Sequence, residues 1–310
     1  MYPFSGRYNH RNFHYNTDQM KKLLSILFLV AISVTLQAQV SKKSFQVSGF
    51  NGITAGGVFD IEVVKSTSES LTVEADPSII NYVTAQVFRG KLKLGLDSSI
   101  PSKLTRNMKP IKVVVMAKEL SDINLSGAAR LNTNSNFSAQ NFRVDLSGAT
   151  TVTGLDLDVD DLYVVSSGAS TISIKGNAMN ASYSISGAGK ITISHGSENL
   201  KVGGSGASYL DIKESARKID LSFSGAVNTK LTGKGCDYLS VEMSGASNFD
   251  AVGCPVKVMD ISLSGVCNAE VHVTDSISVE LSGGSNIRYK GSPQIKSLDI
   301  SSISSFKKIN

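Results

Sequence analysis

The sequence predicts an all-β solenoid: a parallel β-helix with coils of 19–20 residues, preceded by a β-rich N-terminal portion. Three observations predict it. First, Ser-Gly-Ala or a close relative recurs nine times, with its glycine at Gly127, Gly148, Gly168, Gly187, Gly206, Gly225, Gly245, Gly265 and Gly283. Second, the intervals are 21, 20, 19, 19, 19, 20, 20 and 18 residues, a period that signals stacked repeats. Third, apolar and polar residues alternate before each glycine, as strands with one buried face require.

The elements follow in chain order. Residues 1–19 are polar, aromatic and patternless, and are expected to be a mis-called start. Met20-Lys21-Lys22 precedes the apolar run LLSILFLVAISVTL and then Gln37-Ala38-Gln39. A basic n-region, an apolar h-region and a small residue at the cleavage point make 20–38 a secretory signal peptide. The run is shorter than the roughly 20 residues that cross a bilayer as a helix, and no transmembrane segment is expected in the mature chain. No cysteine at the end of the h-region offers a lipid anchor. The leader removes Arg7, Arg11, Lys21, Lys22 and Asp18, so the net charge falls from +5 to +2. That balance argues against nucleic acid as a partner.

Residues 40–118 lack the period but still alternate as strands, in FDIEVVKS, SLTVEAD, KLKLGL and IKVVVMA. Residues 119–310 carry the repeat. Four residues before each glycine stand residues such as Ile123, Val144, Leu221 and Val241, and two before it Leu125, Leu146, Phe223 and Met243. Between them lie polar residues such as Asn124, Asp145, Ser222, Glu242, Glu280 and Asp299. A second strand follows each glycine, with Leu131, Val152, Ile172, Ile191 and Leu210 at plus four. No Leu-x-x-Leu-x-Leu frame and no 3.6-residue period recur, which excludes leucine-rich and helical repeats. Nine or ten coils at about 4.8 Å each make a rod on the order of 45 Å long.

The glycines read as corners, because glycine reaches φ > 0 at little steric cost. The alanine after each is expected where a tight corner leaves room only for a methyl. The serine before each can satisfy a turn group or the serine of the next coil. Asn228, Asn248, Asn268 and Asn286 share position plus three in four consecutive coils and read as an amide ladder.

The stretches Phe50-Asn51-Gly52-Ile53, Gly57-Val58-Phe59-Asp60-Ile61-Glu62-Val63 and Leu71-Thr72-Val73-Glu74-Ala75-Asp76 resemble the start of the "putative auto-transporter adhesin, head GIN" domain. The Leu-Ser-Gly-Ala corners resemble its body, and the likeness covers residues 45–305. The resemblance implies a right-handed β-helix, export in a Gram-negative bacterium and a surface or adhesion role. It brings no agreed catalytic residues. No membrane β-barrel has room after residue 310, so self-translocation is not expected.

His195 and His272 lie four coils apart, about 19 Å, and each reads as an exposed turn residue. The adjacent pair Glu280 and Asp299 reads as a solvated outer face, as do the distant Asp145 and Glu242. Asp156, Asp158, Asp160 and Asp161 form the densest acidic run, and the first three would share one strand face. They are weak candidates for a cation site, although the nonapeptide of calcium-loaded β-rolls is missing. No histidine is in register with any serine, so a Ser-His nucleophile is unsupported. Gly203-Gly204-Ser205-Gly206 lacks the lysine frame of a phosphate loop. Cys236 and Cys254, one coil apart at turns, could form a disulfide, leaving Cys267 as a buried small residue. Tyr163 and Tyr209 are the clearest outward tyrosines.

The reading is a non-catalytic exported protein of the cell envelope with an adhesin-like binding or structural role. It requires no cofactor. Its partner would be an envelope or extracellular ligand, glycan or protein, and self-association through uncovered terminal coils is possible in principle. It would sit in the periplasm, at the outer membrane or on the surface. The alternative is a polysaccharide lyase or glycoside hydrolase on the same scaffold.

Overall fold

A computed structural model of the chain describes residues 40–301 and 303–309, without the side chains of residues 214 and 215. The expected mis-called start, 1–19, and signal peptide, 20–38, lie outside the described residues. The described chain is a β-solenoid of stacked, parallel, in-register strands, as the period predicts. None of its helices is long and apolar enough to cross a membrane.

Strand β1 (Ser41–Phe45) is an outer strand apart from the first coil, which is made by β2 (Gly52–Gly57) and β3 (Phe59–Lys65) after it in the chain. The chain then leaves the spiral through β4 (Ser70–Ala75), β5 (Val83–Phe88), β6 (Lys91–Leu96) and β7 (Ile111–Ala117). Strands β6 and β7 run parallel beneath β2 and β3, with Ile53 opposite Leu92 and Phe59 opposite Ile111. Strands β4, β5 and β1 then pair antiparallel outside them. This reversal ends the parallel ladder, and Lys42 and Lys43 on β1 discourage further pairing at its edge.

The chain returns on the other side of the first coil. Strand β8 (Asp122–Gly127) stacks on β2, and β9 (Arg130–Thr133) stacks on β3. The repeat continues through β10 (Asn136–Gly148), β11 (Thr151–Gly168), β12 (Thr171–Gly187), β13 (Lys190–Gly206) and β14 (Tyr209–Gly225). It ends in β15 (Asn228–Gly233), β16 (Cys236–Gly245), β17 (Asn248–Leu263), β18 (Asn268–Leu281), β19 (Asn286–Lys290), β20 (Gln294–Ile300) and β21 (Ser305–Lys308). The glycine file therefore begins one coil earlier than the repeat suggests, since Gly57 stands opposite Gly127.

Inside, each coil contributes apolar residues from both of its strands. In the Gly225 coil these are Ile219, Leu221, Phe223, Val227 and Leu231, all buried. Identical columns stack coil on coil, so one continuous core runs from Phe50 to Ile287. The last coil, β20 and β21, leaves Ile295, Leu298 and Ile303 exposed.

Two expectations about the corner need correction. The alanines after the glycines are exposed, and Val266, 63% exposed, occupies the same place. The corner is convex there, so room is not what limits the residue. The hydroxyls that reach the corner glycine's carbonyl come mainly from plus two. The serine before the glycine, where it bonds, reaches strand carbonyls instead, Ser167 to Leu146 O at 3.4 Å and Ser186 to Ser166 O at 3.5 Å. Ser208, Ser247 and Ser285 are buried and donate to the carbonyls of Gly187, Gly225 and Gly265 at 3.3, 3.2 and 3.4 Å. Each of those carbonyls also accepts a backbone N–H at 2.7–2.9 Å, so both lone pairs are used. Ser247→Ala should lower stability by about 1 kcal/mol. Ser244→Ala, which makes no such bond, should change it by less than about 0.5 kcal/mol. Urea denaturation of the two variants distinguishes the columns.

Candidate functional site

The outward residues of the strands that run into each corner form three columns, at five, three and one residues before the glycine. They make a polar trough. One depression in it, about 810 Å³, is lined by Ser222, Ser224, Ser244 and Ser262 around Gly203 and Gly204. The floor sinks there because Gly203 sets no side chain in a column that carries Ser222 in the next coil. A second depression of about 320 Å³ continues the trough with Glu242, Asp260, Glu280 and Asp299. From the Lys201 coil to the Asp299 coil is about 24 Å at the usual strand spacing.

Two carboxylates in this trough, Asp260 and Glu280, have hydrogen-bond partners. Glu280 stands opposite Asp299, and Ser262 donates its hydroxyl to Glu280 Oε2 at 3.4 Å. Tyr238 donates to Asp260 Oδ2 at 2.7 Å, and that bond raises the pKa of the phenol. Asp145, five coils from Glu242, is held by Arg143 at 2.7 and 2.8 Å.

The acidic run on β11 is spread along the strand. Leu155, Leu157 and Val159 are buried, while Asp158 and Asp160 point to solvent. Asp156 pairs with Lys175 at 3.3 Å and accepts from Asn136 Nδ2 at 3.0 Å. Among the described residues, no three potential metal ligands converge.

Both histidine expectations are corrected. His195 is not at an exposed turn but lies in the core on β13, 2% exposed. Its Nε2 is 2.8 Å from the Tyr183 hydroxyl in a hydrogen bond, and the two rings stack at 5.9 Å with planes 12° apart. Ala178 and Ala181, opposite Val159 and Leu162 of the preceding coil, make this coil's interior roomier. Burial lowers the His195 pKa to about 4. His272 lies half-buried within β18.

Cys236, Cys254 and Cys267 are all buried. Cys236 and Cys254 meet in a hydrogen bond between their thiols, with Cys236 opposite Val256. The hydrogen bond with Cys254, together with burial, pushes the Cys236 thiol up. Cys267 Sγ takes the corner role of a plus-two serine, donating to Gly245 O at 3.8 Å.

The tyrosines are placed as their columns suggest, and an amide ladder lies beside each of them. Tyr163 and Tyr209 are each 44% exposed. Tyr163 borders a groove of about 250 Å³ that also holds Asn180 and Asn199. There Asn199 Nδ2 donates to Asn180 Oδ1, and Asn180 Nδ2 to Asp161 Oδ1, both at 2.9 Å. Tyr209 borders a groove of about 360 Å³ with Asn228, Asn248 and Asn268. These belong to the plus-three ladder: Asn286 donates to Asn268 at 3.2 Å, Asn268 to Asn248 at 3.3 Å, and Asn248 to Asn228 at 2.9 Å. Asn248→Ala should break two of these bonds and cost about 1–2 kcal/mol, measurable by thermal and urea melts.

The family model described as "Putative auto-transporter adhesin, head GIN domain" matches residues 49–195 and 193–293. Among curated proteins none matches the chain. A solved structure of a "putative adhesin" from Parabacteroides merdae is 18% identical, with 88% of this chain and 98% of that chain covered and a TM-score of 0.53. A "putative adhesin" from Parabacteroides distasonis is 20% identical over 88% and 98%, with a TM-score of 0.47. A "putative lipid binding protein" from the same species is 18% identical over 88% and 98%, with a TM-score of 0.46. The first of these likenesses shows a shared fold.

Proposed function

This chain belongs to the "putative auto-transporter adhesin, head GIN domain" family, and from that membership we propose a non-catalytic, adhesin-like protein of the cell envelope. It is exported, and it binds an extracellular ligand on the outer faces of its solenoid. The observation that carries the reading is the contrast between core and surface. The core is continuous and rigidly in register, while the surface offers open polar grooves flanked by exposed tyrosines. A rigid scaffold with pre-formed faces loses little freedom on binding. Of the two described histidines, His195 is turned into the core and His272 lies half-buried away from the trough and both tyrosine grooves.

The test is to present the purified mature chain to arrays of glycans and of extracellular proteins, with product analysis on every surface that binds. Saturable binding without turnover is expected. Release of any cleaved polysaccharide would show an enzyme, and absence of binding on every surface would remove the adhesin reading. Surface protease treatment of intact cells then separates the periplasm from the cell exterior.

A further inference from the structure

The geometry around Tyr209 assigns a ligand class to one of these faces: we propose that Tyr209 and Asn228 form a binding site for the pyranose ring of a neutral carbohydrate. The proposal rests on the adhesin reading and narrows it.

The asparagine ladder has a direction. Each Nδ2 donates to the Oδ1 of the preceding coil, from Asn286 down to Asn228. At its far end the Ser305 hydroxyl donates to Asn286 Oδ1 at 2.6 Å. Asn228 is therefore the last acceptor, and the next residue down the column, directly opposite it, is Tyr209 rather than another amide. Chained hydrogen bonds polarise one another, strengthening each by roughly 10–30%. The donor hydrogens of Asn228 Nδ2 are the positive end of that chain, and they have no partner among the described residues. The ladder beside Tyr163 ends differently, because its last amide is consumed by the Asp161 carboxylate.

An open donor beside an exposed aromatic face is a specific combination. The ring of a sugar presents a C–H face that packs on an aromatic ring, while its hydroxyl oxygens accept hydrogen bonds. Tyr209, a residue 44% exposed, supplies an aromatic ring at the groove, and Asn228 supplies a donor one coil away, about 4.8 Å along the axis. The groove they border, about 360 Å³, suits one or two rings. Its rim carries Lys230, Asp250 and Glu270 in register, and Glu270 is paired with Arg288 at 2.7 Å, so opposite charges offset one another along it. Such a rim favours neither an anionic nor a cationic ligand, which points to a neutral sugar.

The experiment is a glycan array of neutral oligosaccharides, followed by calorimetric titration of the strongest hit into wild type, Tyr209→Ala, Tyr209→Phe and Asn228→Ala. Tyr209→Ala should bind about tenfold or more weakly and Asn228→Ala several-fold more weakly, with Tyr209→Phe within about twofold of wild type. Unchanged melting temperatures for the Tyr209 variants are expected from the exposure of the side chain. In the wild type, the Asn228 side-chain amide resonances should shift on titration. Equal affinity of wild type and Tyr209→Ala overturns the site. Binding to proteins with no neutral glycan bound overturns the ligand class and leaves the adhesin reading standing. Absence of binding on every surface removes both.

Discussion

Gly206→Ala will destabilise the solenoid by about 3–5 kcal/mol, whereas Gly203→Ala, three residues earlier, will cost less than about 1 kcal/mol. Gly206 sits at φ +103°, a conformation that L side chains rarely adopt, and a Cβ there would stand 2.4 Å from Gly187 O and 3.0 Å from Gly187 N. Both atoms are backbone, so no side chain can swing aside. The same carbonyl accepts from Ala207 N and Ser208 Oγ at 2.9 and 3.3 Å. Moving it away from a new methyl would weaken both bonds. Gly203 has an ordinary φ and points outward, where its Cβ would meet only Ser222 O at 3.7 Å. A methyl there raises the trough floor without touching the ladder. Guanidinium melts of the two variants are the measurement, and equal midpoints would show that the corner does not carry the constraint. Because each coil contacts only its neighbours, the damage should centre on adjacent coils. Hydrogen exchange should then accelerate most around β12 to β14.

What the sequence made legible follows from what every coil must repeat. A corner glycine meets the glycine of the coil before it, so the same backbone constraint recurs in each copy and the period is plain. The inward columns are legible for the same reason. Gly57 was hidden because about seventy residues of capping excursion separate it from Gly127 in the chain, although the two are neighbours in space. Spacing cannot reveal a neighbour across an insertion. His195 was misread because it lies eight residues past its glycine, where coil lengths vary between 18 and 21 and alternation loses its phase. The buried hydroxyls at plus two were obscured by composition, since serine and threonine are turn residues whether they face in or out. The asparagine ladder could be read from its register, but its end at Tyr209 could not. That feature depends on the direction in which the amides donate, and a sequence carries no direction for a side-chain hydrogen bond.

His195 gives the second large effect, which is on acid stability. Its imidazole is buried beside Tyr183, and burial holds the folded pKa at about 4, below the ordinary value of 6.5. In the unfolded chain the same group takes up its proton near 6.5. Above that pH neither state binds the proton, and His195 contributes no slope. As the pH falls from 6.5 toward 4, the unfolded state gains a proton that the folded state refuses, and stability is lost steadily. Below about 4 both states are protonated and the loss levels off, at a total of about 3 kcal/mol. The double variant Tyr183→Phe, His195→Phe removes the titrating group together with the hydroxyl it bonds. Replacing both partners by apolar groups of similar shape should change stability little at pH 7.5. The difference between wild-type and variant unfolding free energies, measured by urea melts at half-unit steps from pH 7.5 to 4, isolates the histidine. Carboxylates whose pKa is lowered, such as Asp237 beside Lys257, are common to both proteins and cancel. The expected difference curve is flat above 6.5 and falls by about 3 kcal/mol toward pH 4. A flat curve throughout would mean that water or a shifted ring lets His195 charge freely in the folded state, and the core around Tyr183 would then be open rather than sealed.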